Sequence, residues 1–373
     1  MKIAFLSPFY PFRGGIAQFS DYLFEALNKE HDIKAFTFSR QYPKLLFPGT
    51  SQFVPDSEKK KNINAVPVLD SINPASWYKT ANAILKSQPD LVITSYWMPF
   101  FAPSLGIVSR KLRKKNIKVI SILHNVIPHE KRPGDTALSK FFFRQNHGLV
   151  VLNEESHKDL VNLMPEAKTL AHPHPFYNHY GQKIDKNEAR KKLNIPVNKK
   201  VILFFGFIRD YKGLDILLEA MKNEDYYLII AGECYGSFEK YNNIINKNNL
   251  GDRIILNIKY ISDDDVSIYF SAADVTVLPY RSGTQSGIIG ISYHFNVPVI
   301  VADTGGLKEM VDEGKTGIIM QSASPQNIKN ALNKFYKNFN AEEYEKNIEE
   351  IKKKYSWDSF ADDIIKFADN LLS

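Results

Sequence analysis

Residues 275–306 read VTVLPYRSGTQSGIIGISYHFNVPVIVADTGG, and the order of parts within them decides the fold. An apolar run (275–279) is followed by a polar loop with two glycines (281–287), a helical stretch (288–295) and a second apolar run (297–302) that ends in Gly305-Gly306. Strand, loop, helix, strand is the repeating unit of a parallel α/β sheet. A loop of small residues that opens a helix leaves several backbone N–H groups unpaired and pointing one way, which suits phosphate. Ser286, Gly287 and Ile288 supply those groups, and Thr284 and Gln285 offer side chains for sugar hydroxyls.

The same rhythm runs through the chain. Towards the N-terminus, strand-like runs at 2–7, 32–38, 91–95, 118–123 and 148–152 alternate with helical stretches at 17–28, 77–87, 104–115 and 153–163. On the first of these helices Phe19, Tyr22, Leu23, Ala26 and Leu27 fall on one face. Residues 172–200 break the rhythm with Pro173, Pro175 and Pro196, and read as a linker carrying a short helix at 186–193. Alternation resumes with strands at 201–206, 226–231 and 254–256 and helices at 213–221, 238–248 and 263–271. It closes in helices at 325–338 and 341–372, the latter interrupted by Trp357. The predicted fold is α/β, with two Rossmann-like, doubly wound domains (1–175 and 176–355) facing a central cleft. Ligands are expected where loops leave the C-terminal ends of strands.

Composition agrees with this and narrows the function. The 373 residues suit two domains of about 100–200 residues each, and 44% hydrophobic with 24% charged residues is ordinary for a globular chain. The one cysteine, Cys234, rules out a disulfide framework and fits a reducing compartment. The first eleven residues form too short an apolar run for a signal peptide, and no run reaches the roughly 18 apolar residues of a membrane span. The net charge of +7 is uneven: residues 1–175 hold 23 Lys+Arg against 14 Asp+Glu, and the remainder 25 against 27. That excess reads either as a solvated basic face or as attraction to an anionic lipid or acceptor. No helix-turn-helix, zinc-finger or RNA-binding signature supports nucleic acid. Two aromatic and basic regions, residues 96–101 with 110–115 and residues 140–144, read as ordinary core and surface or as a membrane-facing patch.

Three further constellations sit at predicted strand ends. Pro11-Phe12-Arg13-Gly14-Gly15 follows the first strand, and its glycines permit a tight turn and close approach of backbone to a ligand. It is not GxGxxG, which speaks against a dinucleotide site and an NAD oxidoreductase. His124 ends the strand at 118–123, where a neutral imidazole can bond a sugar hydroxyl or shuttle a proton; His129 and Glu130 follow in a loop. These three residues match no metal motif, nor do His172 and His174, which read as hinge or cleft residues. Gly206-Phe207-Ile208-Arg209-Asp210-Tyr211-Lys212-Gly213 opens a helix after the strand at 201–205. Arg209 and Lys212 lie three apart around a turn, so both can reach one diphosphate and stabilise charge on it as it departs. Asp263, Asp264 and Asp265 read as a helix start, where acidic side chains suit the dipole.

With these residues in view, the chain resembles the retaining glycosyltransferases of family 4 (group 1), which have the GT-B fold, along almost its whole length. Gly14 and Gly15 look like the family's N-terminal glycine loop against donor phosphate and acceptor. His124 matches its strand-end histidine on the donor sugar. Arg209 and Lys212 match its diphosphate pair, following Gly206. Gly232, Glu233, Tyr260 and Ile261 resemble the segments enclosing the nucleobase. Ser356-Trp357 looks like the family's crossover, which implies that helix 356–373 returns to pack on the N-terminal domain. One departure stands out: the two glutamates that most members carry eight positions apart are absent. Thr284, Gln285, Ser286, Gly287 and Ile288 fill the place of the first, and Ile291 and Ser292 that of the second. A neutral Gln285 binds hydroxyls but is no nucleophile, which argues against a covalent glutamyl intermediate there.

The resemblance implies a metal-independent transferase without a cofactor. It would move a sugar, with retention, from a nucleotide-diphosphate donor to a hydroxyl of a glycan or lipid-linked glycan, in surface polysaccharide or glycoconjugate biosynthesis. The expected location is cytoplasmic or peripheral on the inner face of the cytoplasmic membrane. A nucleotide-sugar epimerase or hydrolase on the same fold, and a non-catalytic nucleotide-sugar or glycan-binding protein, are the competing readings.

Overall fold

The computed structural model of the protein describes residues 1–12, 14–43, 52–53, 63–127, 132–282 and 286–371. The chain divides into two compact units, Met1–His174 with Trp357–Ser373, and Pro175–Ser356.

The first unit is built on β1 (Lys2–Leu6), β2 (Asp32–Arg40), β3 (Val66–Asp70), β4 (Leu91–Tyr96), β5 (Lys118–Leu123), β6 (Gly148–Val151) and β7 (Thr169–Ala171). They form one sheet in the order β3-β2-β1-β4-β5-β6-β7, and every pairing is parallel. Strands β1, β4, β5 and β6 are buried on both faces, as unbroken apolar runs require in a sheet covered by helices on each side. The order reverses between β1 and β4, so the loops that follow these two strands part and leave a crevice. Helix Trp357–Asp369 belongs to this unit. Its Trp357 meets Phe19 edge-on at 4.9 Å and stacks on Tyr22 at 5.3 Å.

The second unit holds β8 (Lys200–Phe205), β9 (Tyr226–Ala231), β10 (Ile254–Asn257), β11 (Val275–Leu278), β12 (Val299–Ala302) and β13 (Gly317–Met320). These are again parallel, in the order β10-β9-β8-β11-β12-β13. Its reversal lies between β8 and β11. At the opposite end of these strands Asp274, buried, accepts from the Val201 N–H at 2.7 Å and from Arg190 at 3.0 Å, and also pairs with Lys186. That cluster anchors the starts of β8 and β11 and leaves their far ends to the loops.

Four elements go beyond the sequence expectation. Strands β3, β7 and β13 all lie at sheet edges, where half-exposed side chains blur the apolar signal; β3 also contains Pro67, which an edge tolerates. Helix Asp135–Phe143 was also unforeseen. His172 and His174, expected as hinge or cleft residues, lie where the first unit's main stretch ends at His174, with His172 buried and His174 half-buried. His172 is 6% exposed with its Nε2 3.8 Å from Asp363, and the His174 ring lies 5.2 Å from that of Phe19.

Candidate functional site

The loops after β8 and β11 meet at the reversal of the second sheet. Gly206 leaves β8 at φ +94°, and its N–H bonds the Ala231 carbonyl at 2.9 Å. A tight turn, Asp210–Lys212, follows, and Gly213 (φ +71°) hands the chain to helix Leu214–Ala220. A Cβ on Gly213 would stand 2.0 Å from the Pro279 carbonyl oxygen, so here backbone packs on backbone and only glycine fits. Arg281 fastens the same junction from the other loop. Its N–H donates to the Tyr211 carbonyl at 2.7 Å, and its guanidinium gives Asp215 two hydrogen bonds of 2.9 and 2.6 Å. On the other side, a Cβ on Gly232 would lie 2.1 Å from the Gly206 carbonyl oxygen.

Lys212 sits in the middle of this junction. It is 8% exposed, its Nζ lies 5.4 Å from the centre of the Tyr280 ring, and no carboxylate or hydrogen-bond acceptor pairs with it among the described residues. Burial, and then the charge of Arg209, bring its pKa down to about 8. A buried ammonium without a counter-ion is costly and is relieved by an arriving anion. Arg209 is exposed, with its guanidinium 4.5 Å from the Tyr235 ring centre and 5.9 Å from that of Phe207. Tyr280 donates to or accepts from Ser286 Oγ at 3.1 Å, and Ser286 caps helix Gly287–His294 by accepting from the Ile288 N–H at 3.3 Å. A Cβ on Gly206 would touch both Ile288 Cδ1 (3.1 Å) and Lys212 Nζ (3.4 Å). The ammonium and the positive end of the helix therefore converge on one place, a ready seat for phosphate.

The first unit carries its own strand-end group. The His124 N–H donates to the Tyr96 carbonyl at 2.8 Å, continuing the β4–β5 pairing. The ring meets Phe19 edge-on at 4.8 Å. The residue is half-buried, but its Nε2 is shut from solvent and lacks a partner among the described residues. Burial, and then His174, pull its pKa down to about 3, so the imidazole is neutral at any ordinary pH. It can share a hydrogen bond but does not carry charge. Gly14 (φ +115°) caps helix Gly15–Leu27, and a Cβ at either glycine would find open space.

Residues 185–355, which span the loops after β8 and β11, match the family model "Glycosyl transferases group 1". The matched residues lie within the second unit, and the protein is a glycosyltransferase. Over nearly its full length the chain is similar to an uncharacterised glycosyltransferase of Methanocaldococcus jannaschii, 25% identical over 378 residues that cover 96% of this chain and 95% of that one. A D-inositol 3-phosphate glycosyltransferase of Corynebacterium aurimucosum is 26% identical over 200 residues, 49% of this chain and 47% of its own. Among solved structures, Anabaena HepE in complex with UDP superposes with a TM-score of 0.72 at 15% identity, covering 99% of this chain and 100% of that one. With two parallel-sheet Rossmann-like units and such neighbours, the expected GT-B fold class is borne out.

The residues expected from the sequence are placed differently from one another. Gly206, Arg209, Lys212, Gly232, Ser286, Gly287 and Ile288 lie on the loops around the reversal. Glu233 and Tyr260 are exposed, whereas Ile261 is 8% exposed and packed in the core, so only its main chain is open to a ligand. Thr284 and Gln285, like His129 and Glu130, lie outside the described residues. Ile291 and Ser292, at the place of the second family glutamate, are committed to the core. The Ser292 hydroxyl bonds Thr276 Oγ1 and the Val297 carbonyl, each at 2.8 Å. Tyr235, which stacks on Arg209, was missed by the sequence reading; an aromatic three residues past Gly232, at a strand end, was its signal.

Proposed function

We propose that the protein is a retaining, metal-independent glycosyltransferase that moves a sugar from a nucleotide-diphosphate sugar to a hydroxyl of a glycan or lipid-linked glycan. The observation that carries this reading is Lys212, a buried ammonium with no anionic partner among the described residues, at the reversal of the second unit's sheet. The Anabaena neighbour binds UDP and, in a further structure, UDP-glucose, which supports a nucleotide-diphosphate donor. In this reading Lys212 and Arg209 take up the charge of the departing diphosphate, helped by the N–H groups of Ser286 and Gly287, while the expected Ile288 N–H is already held by the Ser286 hydroxyl. Thr284 and Gln285 hold sugar hydroxyls. The neutral His124 bonds the sugar or supports the acceptor side, and Gly14 and Gly15 let the N-terminal loop approach the phosphates.

With the neutral Gln285 at the place of the first glutamate, no carboxylate stands there to form a covalent intermediate, and rate enhancement comes from stabilising the leaving group. The two cations do the work that a divalent ion would otherwise do, so the proposal includes no metal and no cofactor. Among the described residues no three His, Cys, Asp or Glu side chains gather as a metal site. No helix among them is long and apolar enough to cross a membrane. A cytoplasmic location, with attachment through the basic first unit, and a role in surface polysaccharide or glycoconjugate synthesis are part of the same proposal. The test is the steady-state rate of Lys212→Ala. Turnover is expected to fall by about two to three orders of magnitude, the range seen when one transition-state donor is lost, with an unchanged circular-dichroism spectrum and no effect of a chelator on the parent. An unchanged rate in the variant sinks the assignment.

A further inference from the structure

Two basic stretches that the donor site does not use, residues 110–115 and 140–144, come together at the opposite end of the first unit's sheet. Helix Ala102–Arg113 and helix Asp135–Phe143 end side by side, and Arg113 donates to the Arg144 carbonyl at 2.6 Å. Beside them opens a cavity of about 360 Å³ whose lining includes Arg113, Arg144, His147, Glu166, Lys168 and Leu371. It lies at the start of β6 rather than at its C-terminal end, because His147 immediately precedes that strand. The His147 Nδ1 accepts from the Val119 N–H at 3.1 Å. Its Nε2 therefore carries the ring proton and serves as a donor. Burial, and then the charges of Arg113 and Lys168, keep His147 below its ordinary pKa, as expected where cations crowd. Lys168 is held by the Leu371 carbonyl at 3.1 Å. Among the described residues no carboxylate forms an ion pair with Arg113, Arg144 or Lys168.

We propose that this cavity binds a phosphoryl group, carried either by a lipid headgroup or by a soluble phosphate. Its volume falls within the roughly 300–1,000 Å³ of ligand pockets. Three cations against the single carboxylate of Glu166 match the charge of about −1.5 to −2 on a phosphate monoester. Two guanidiniums give the forked donors that phosphate oxygens accept. The charge excess of residues 1–175 supplies the field that concentrates anions at this unit. The inference stands apart from the transfer reaction, since it uses none of the donor-loop residues.

The test is made in a Lys212→Ala chain, so that the donor loops add little to anion binding. Inorganic phosphate is titrated by calorimetry, and vesicles of phosphatidylcholine with and without phosphatidic acid are used in flotation. At least one anionic probe is expected to bind. Replacing Arg113→Gln and Arg144→Gln together is expected to weaken that binding by at least about tenfold, the scale of losing hydrogen bonds to a charged group. The same loss of charge at the exposed Lys346→Gln and Lys353→Gln is expected to leave it intact. Lys168→Gln alone, at an exposed side chain, gives the same direction should the arginine pair be needed for folding, which melting curves report. Phosphate binding without flotation assigns a soluble ligand, and flotation dependent on phosphatidic acid assigns a headgroup. Binding of neither probe, or equal weakening by the two double variants, overturns the proposal.

Discussion

Lys212 works against the fold that holds it. Its ammonium is buried, with its pKa brought down to about 8 against an ordinary 10.5. Between those two values the unfolded chain binds more protons than the folded one, so this residue's cost to stability is full at neutral pH and fades as pH rises through 8 towards 10.5. Lys212→Met, unbranched and of similar length, is therefore expected to raise the melting temperature of the ligand-free protein at pH 7, by about 2–4 °C per kcal/mol released, while abolishing transfer. A lower melting temperature at pH 7 contradicts the unpaired charge. The same value sets the donor's pH dependence. In the proposed reaction it is the protonated form that binds the diphosphate, so KM for the donor is expected to be flat below pH 8 and to rise above it, whereas Lys212→Arg removes the rise. Lys212 and Arg209 were legible because cations just after a buried strand, before a helix, are placed by topology alone. The partnership of Arg209 with Tyr235 was not, because it depends on how two loops from different strands fold over each other. The commitment of Ser292 to Thr276 and Val297 was equally hidden, since a serine in sequence does not announce what its hydroxyl bonds.

The loops after β8 and β11 act as one element. Gly213 against Pro279, and Arg281 against Asp215 and Tyr211, lock them with few side chains between, and Gly232 after β9 packs on Gly206 from the other side. The Arg281–Asp215 pair is partly exposed, so its contribution is to register more than to stability. Gly213→Ala places a methyl group where the Pro279 carbonyl stands and forces a left-handed conformation on alanine. It is expected to lower unfolding free energy by about 1–3 kcal/mol, read from denaturant melts, and to raise the KM for the donor. Gly251→Ala, with open space around the new methyl group and no positive φ, is expected to change stability by less than about 0.5 kcal/mol. Equal effects of the two substitutions contradict the backbone contact. At this scale the central strands were plain from their unbroken apolar runs, as was the helix that follows the polar loop. The edge strands β3, β7 and β13 were not: a strand with one neighbour buries less, and its sequence need not be uniformly apolar.

Across the molecule, each unit has its own core, its own parallel sheet and its own reversal of strand order. The alternation of strand and helix made both sheets legible, and the proline-rich stretch at 172–200 marked the passage between them. The convergence of residues 110–115 with 140–144 was not legible, because two helices distant in sequence must first pack side by side. In the proposed reaction a nucleotide-diphosphate sugar seated on Lys212 gives up its sugar to an acceptor hydroxyl. The direct measurement is nucleoside-diphosphate release from a panel of nucleotide sugars, with and without a glycan or lipid-linked glycan extract, for the parent and for Lys212→Ala. Release is expected to require the extract and to fall by about two to three orders of magnitude in the variant. Release at the same rate without any acceptor, or undiminished in Lys212→Ala, contradicts that reaction.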